Sequence, residues 1–216
     1  MLEKMGEFFD ARIEGCEAHQ LNTTDDAAEF YPFTAGQLPR TPGAMVLDLG
    51  CGTGLELGYY FELAPAAHVT GIDLAPGMLE ELRKKLPDKA LTLICGSYFD
   101  VPFGENAFDA AVSVESLHHF TKEEKIPLYA KLRKALKPGG YFILTDYFAA
   151  SEAEEQTRRA ELLRLKREQG LADGVFYHYD TPLTVDHEKE ALIKGGFAAV
   201  TVLHRWGTTC TLKAVK

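Results

Sequence analysis

A chain of 216 residues with 46% hydrophobic residues is long enough for one domain with a real core. It has no apolar run near the ~20 residues of a membrane span, which excludes a helical membrane protein. Its net charge of −9, with three Lys/Arg against eight Asp/Glu in the first 43 residues, lacks the basic footprint of a nucleic-acid binder.

Residues 1–35 look helical and irregular, with aromatics clustered as Phe8-Phe9 and Phe30-Tyr31-Pro32-Phe33. Pro39 and Pro42 mark the linker into a continuous apolar strand, Ala44–Leu49. A glycine-rich turn leads into a helix over Leu55–Leu63, and a second strand covers Val69–Asp73. Pro76 suits the first turn of the next helix, where Met78, Leu79, Leu82 and Leu86 recur at helical spacing. Glu80 with Lys84 and Glu81 with Lys85 are favourable i,i+4 pairs on its outer face. Leu91–Cys95 and Phe108–Val114 read as the third and fourth strands. Thr121-Lys122-Glu123-Glu124 is a capping-box signature opening a helix to Lys137, ended by Pro138-Gly139-Gly140. Tyr141–Thr145 is the fifth strand, Glu152–Gln169 an amphipathic, charge-rich helix, and a further helix opens near Thr184. Val200–His204 and Thr208–Val215 then form a hairpin across Arg205-Trp206-Gly207. Apolar strands alternating with helices predict an α/β fold whose mostly parallel sheet is covered on both faces.

The acidic, broken start of the chain (Met1 to Glu7) does not resemble a signal peptide, so a cytoplasmic location is expected. Cys16, Cys51, Cys95 and Cys210 are scattered without a C-x-x-C pair and read as reduced thiols.

The most informative segment is Asp48-Leu49-Gly50-Cys51-Gly52-Thr53-Gly54, a strand end followed by a glycine-packed turn. Glycines there let the backbone approach a ligand closely. Asp73, at the end of the next strand, is placed to hold ribose hydroxyls. A dinucleotide fingerprint has G-x-G-x-x-G, whereas this chain has Gly50, Gly52 and Gly54 with Leu55 in the last position. Asp48 beside the turn would repel a pyrophosphate but suits a cationic ligand end.

This segment resembles the first motif of class I S-adenosylmethionine-dependent methyltransferases. Two further stretches strengthen the likeness: Ser113 to Phe120, with its Leu117-His118-His119, and Leu136 to Tyr141 before the fifth strand. The resemblance implies a Rossmann-like seven-stranded sheet in the order 3-2-1-4-5-7-6, finished by an antiparallel pair. It implies S-adenosylmethionine as cofactor, with S-adenosylhomocysteine as product. Its ligand would meet Asp48, Gly50, Cys51, Gly52, Thr53, Gly54, Asp73, Leu74 and Met78 at the first two strand ends. Ser97 stands where the family often has an adenine-contacting carboxylate, Tyr98 and Phe99 are placed to pack on the adenine, and Ser113 and Val114 to approach the methionine end.

Candidate catalytic groups are His118, His119 and Asp146, any of which could take a proton from a hydroxyl acceptor. Being adjacent, the two histidines are expected to point apart. No carboxylate repeats at ligand spacing around them, so no metal is expected. The chain is expected to be one domain over 1–216: a helical cap (1–40), a cofactor-binding core (41–148), a lid insertion (149–183), and a carboxyl-terminal helix and hairpin (184–216). Cap and lid carry aromatics beside ionisable groups, and Phe9, Arg12, Tyr31, Tyr147, Tyr177, His178 and Tyr179 are candidates to face a small-molecule acceptor. No nucleic-acid or membrane partner is expected. Two rival readings are a nucleic-acid or protein methyltransferase and a non-catalytic S-adenosylmethionine-binding regulator. The oligomeric state has no signature in the sequence.

Overall fold

A computed structural model describes residues 1–13, 15–172 and 174–216. The side chain of Cys16 lies outside those described, while Cys51, Cys95 and Cys210 are free thiols. Three amino-terminal helices, α1 (Met5–Asp10), α2 (Cys16–Thr23) and α3 (Ala27–Gly36), precede an alternation of strands and helices. It runs β1 (Met45–Leu49), α4 (Leu55–Leu63), β2 (His68–Asp73), α5 (Pro76–Lys85), β3 (Ala90–Cys95), β4 (Phe108–Val114), α6 (Lys122–Ala135) and β5 (Leu136–Tyr147). After it come α7 (Glu152–Gln169), α8 (Val185–Lys194), β6 (Ala199–Trp206) and β7 (Thr209–Val215).

The strands form one seven-stranded sheet in the order β3-β2-β1-β4-β5-β7-β6. β1 to β5 run parallel, and β7 is antiparallel to both neighbours, as the resemblance implies. The strand alternation that splits side chains between faces also splits the core. Leu47, Leu49 and Ala111 pack with Leu128, Tyr129 and Leu132 of α6 and Ala191 and Leu192 of α8. Val46, Ala110 and Val112 pack on the other face with Phe30 of α3, Leu57 and Tyr60 of α4 and Leu82 of α5.

Three local expectations change. α6 ends at Ala135, and the stretch Leu136 to Gly140 belongs to β5. Leu136 pairs with Phe108, and a register shift there absorbs the extra residues before Ala110 meets Tyr141. The final hairpin is tighter than its sequence suggests, because Arg205 and Trp206 stay in β6 and pair with Cys210 and Thr209. On α5, Lys84 takes both Glu80 and Glu81, and Lys85 reaches instead to Glu17 of α2 at 2.5 Å. The capping box at Thr121 and Glu124 forms as read, and α7 spans the residues expected.

Polar groups add to the apolar packing that holds α3 on the sheet. Thr34 of α3, Thr145 of β5 and Thr211 of β7 form a buried chain of hydroxyl hydrogen bonds. Among the described residues no helix is long and apolar enough to cross a membrane.

Candidate active site

The carboxyl ends of β1, β2 and β4 converge on the turn between β1 and α4. At Gly50 the backbone has φ +76°, and an added Cβ would lie 2.1 Å from Ser116 Oγ. Only glycine permits both the conformation and the approach. The amides of Gly50 and Cys51 donate to the Ile72 carbonyl at 2.8 and 3.2 Å. The Asp73 carboxylate accepts from Gly52 N at 2.9 Å and from Ala75 N at 2.9 Å, so it braces the glycine turn from β2. Burial raises the Asp73 pKa, and these amides partly offset the shift.

The turn opens on a concave cleft. Ten of the residues singled out for a cofactor line it: Gly50, Cys51, Gly52, Thr53 and Gly54 from the turn, with Asp73, Leu74, Met78, Tyr98 and Val114. Four lie elsewhere. Asp48 is fully buried behind the turn, and neither carboxylate oxygen has a hydrogen-bond partner. Burial first, then the neighbouring Glu56 carboxylate, pushes its pKa well up. It is Glu56, at the start of α4, that faces the cleft. Ser113 is buried and donates through Oγ to the Leu49 carbonyl. Ser97 Oγ accepts from Phe99 N and borders a separate depression beside α1. The Phe99 ring packs on Phe120 and Phe176, 4.7 and 5.0 Å between centroids. Sequence spacing locates strand ends but does not say which side chains at them turn inward.

A second chamber adjoins the first and shares Phe9, Gln20, Glu115 and His119 with it. His118, Asp180 and Tyr147 form its floor. The histidines do not point apart. A 3₁₀ turn over Leu117–His119 holds their ring centroids 4.0 Å apart. Both reach Asp180 Oδ1, His119 Nδ1 at 3.0 Å and His118 Nε2 at 3.7 Å. The helical argument for divergence fails because the turn is tight and a carboxylate of the insertion draws both rings together.

Asp146 sits behind His118. Its Oδ1 meets His118 Nδ1 at 2.6 Å, and Oδ2 accepts from Leu117 N and His118 N at 2.9 and 3.0 Å. Asp146 is therefore an anchor for the turn and does not line the chamber. The electrostatics separate the histidines. Burial alone would lower the His118 pKa, but Asp146, with Glu115 and Asp180, outweighs it and lifts His118 to about 9. Burial and the adjacent His118 charge push His119 down to about 4. At neutral pH His118 is a cation and His119 a neutral imidazole.

Glu115 had no signal in the sequence. It joins the two chambers, has φ +50° and carries a buried Oε1 without a hydrogen-bond partner. Burial first, then Asp146, raises its pKa to about 8. A non-glycine residue in this conformation is strained, and such strain clusters at functional sites. Asp180 directly follows Tyr177, His178 and Tyr179 in the chain, but its meeting with His118 and His119 depends on a contact some sixty residues away in sequence.

The candidate acceptor-facing residues divide. Phe9, Arg12, Tyr147 and His178 line the second chamber, and Tyr31 lines the first. Phe8 stacks on His178 with centroids 3.5 Å apart. Tyr177 instead pairs with Lys4 in an isolated antiparallel bridge, flanked by Met5 N to Phe176 O and His178 N to Glu3 O. This bridge ties the amino-terminal segment to residues 176–178. Tyr179 borders a surface groove along α7.

The methyltransferase domain family matches residues 46–140. A sterol 24-C-methyltransferase of Gibberella zeae is 30% identical over 167 residues, covering 72% of this chain and 40% of that protein. A Mus musculus relative named as a tRNA methyltransferase is 32% identical over 56% of this chain and 24% of its own length. The chain thus spans less than half of either relative. The crystal structure of human N-acetylserotonin methyltransferase in complex with SAM shares the fold, with a TM-score of 0.67 at 17% identity, over 96% of this chain and 56% of that one. Motif, sheet order and relatives agree: the chain belongs to the class I S-adenosylmethionine-dependent methyltransferases, whose cofactor is S-adenosylmethionine.

Proposed function

We propose that the chain transfers the methyl group of S-adenosylmethionine to an oxygen, nitrogen or carbon atom of a small molecule. The observation that carries this reading is the junction of the two chambers at Glu115 and His119. The cofactor occupies the glycine-turn cleft with its ribose on Asp73, and the acceptor occupies the histidine chamber. Methyl transfer is an in-line displacement, and alignment of the reacting atoms can supply roughly 7–11 kcal/mol of the barrier. Cap (1–40) and insertion (149–183) of this one domain enclose the acceptor, with Phe9, Arg12, Tyr147 and His178 against it.

For a hydroxyl acceptor, His119 is the better base, because it is neutral where His118 is charged. His118, positioned by Asp146, then stabilises developing negative charge. The acidic balance and the aromatic lining of the chamber favour a small molecule over nucleic acid. The sterol methyltransferase relative supports the same choice, and the tRNA methyltransferase name keeps nucleic acid as the rival. Free thiols fit a reducing, cytoplasmic setting.

Calorimetry should show binding of S-adenosylhomocysteine and no saturable binding of NAD. Incubation with labelled S-adenosylmethionine and a metabolite extract should place label in a small molecule. Label confined to added RNA would replace the acceptor reading. Cofactor binding with no turnover on any extract would favour a regulator.

A further inference from the structure

We propose that His118, His119 and Asp180 form the binding site of a divalent transition-metal ion at the floor of the acceptor chamber. Their donor atoms all lie within 4.8 Å of one another. Two ligands that each stand about 2.1 Å from one ion cannot be more than about 4.2 Å apart. The Asp180 Oδ1 distances, 3.0 Å to His119 Nδ1 and 3.7 Å to His118 Nε2, meet that limit.

Three observations point to a cation rather than to a closed hydrogen-bond network. First, His119 Nδ1 and Asp180 Oδ1 are buried, and among the described residues neither has a hydrogen-bond partner although they stand 3.0 Å apart. Second, His118 Nδ1 is already engaged by Asp146, which leaves Nε2 turned to the chamber. A carboxylate behind a ligating imidazole is the usual support for a metal-bound histidine. Third, two imidazoles and the Asp180 carboxylate bring three donor atoms of metal-ligating type together at one point of the chamber wall.

The alternative grouping of Glu115, His118 and Asp146 is weaker. Both Asp146 oxygens already accept from Leu117 N, His118 N, Tyr147 N or the His118 ring. Two imidazoles and one carboxylate suit zinc, iron(II), cobalt(II) or nickel(II) better than magnesium or calcium. Three protein ligands leave positions open toward the chamber, as in catalytic sites. The use of the ion rests on the methyl-transfer reading. It would hold the acceptor oxygen and favour its deprotonated form, with His119 as ligand in place of base.

The test is titration of chelator-treated full-length protein with cobalt(II), followed by visible ligand-field absorption, with S-adenosylhomocysteine affinity measured in parallel. The expected result is saturation at one cobalt(II) per chain. His119→Ala and Asp180→Asn should each weaken uptake beyond the roughly 10–100-fold that loss of a supporting residue costs. Asp180 is partly exposed, so Asp180→Asn should fold. Retained S-adenosylhomocysteine binding would verify this and keep the methyltransferase reading separate. Equal cobalt(II) uptake by wild type and both variants, or no saturable uptake by wild type, would overturn the metal site. The metal-free assignment of His119 would then stand.

Discussion

Asp73 carries two loads at once. Its carboxylate braces the glycine turn through Gly52 N and lies in the cleft where a ribose would sit. Asp73→Ala should weaken S-adenosylhomocysteine binding by about 1.5–3 kcal/mol, the range for hydrogen bonds to a charged group. Asp73→Asn, with one carbonyl oxygen left to accept, should lose less. Calorimetry on folded variants checks both, and an unchanged affinity would remove Asp73 from the ribose site. The pH dependence follows from the same carboxylate. Burial raises its pKa in the free protein, and ribose hydroxyls stabilise the ionised form, so the ligand lowers it again. Affinity should therefore be full above the ligand-free pKa and fall as pH drops through it, with a proton taken up on release. A flat profile across the acid range would contradict this. The residues legible from sequence were those fixed by local pattern: Gly50, Gly52 and Gly54 through the backbone of the turn, and Asp73 through its place at the end of the next strand. Glu115 was not legible, because a positive φ at glutamate leaves no mark in the sequence. Nor was the meeting of Asp146 and Asp180 at the histidines, which only long-range folding produces.

At the scale of elements, strand positions were readable because parallel strands buried on both faces are continuous apolar runs. The turn from α6 into β5 was less so. Pro138-Gly139-Gly140 looks like a stop, yet a register shift lets the ladder resume on both sides of it. The hydroxyl chain Thr34–Thr145–Thr211 joins three elements distant in sequence and was invisible for that reason. Its energetics can be ranked. Thr34→Val leaves Thr145 bonded to Thr211 and should cost about 0.5–1.5 kcal/mol, whereas Thr145→Val strands two buried hydroxyls and should cost about 1–3 kcal/mol. Chemical denaturation should give that order, and the reverse order would show that the two outer threonines do not depend on Thr145.

On the scale of the whole molecule, α1 contributes Met5 and Phe9 to the glycine-turn cleft, and Phe9 also borders the histidine chamber. The same segment is pinned to 176–178 by the Lys4–Tyr177 bridge and to α5 by Gly77 N donating to Asp10 Oδ1 at 2.9 Å. These bonds lie at the surface, the least stable class of contact in a fold. One wall therefore serves two rooms. Movement of this segment would uncover both chambers together, so turnover should follow a compulsory order, with S-adenosylhomocysteine the last to depart. Product-inhibition kinetics would reveal this as competition between S-adenosylhomocysteine and S-adenosylmethionine alone, while a random order would mean that the segment opens without regard to what lies behind it.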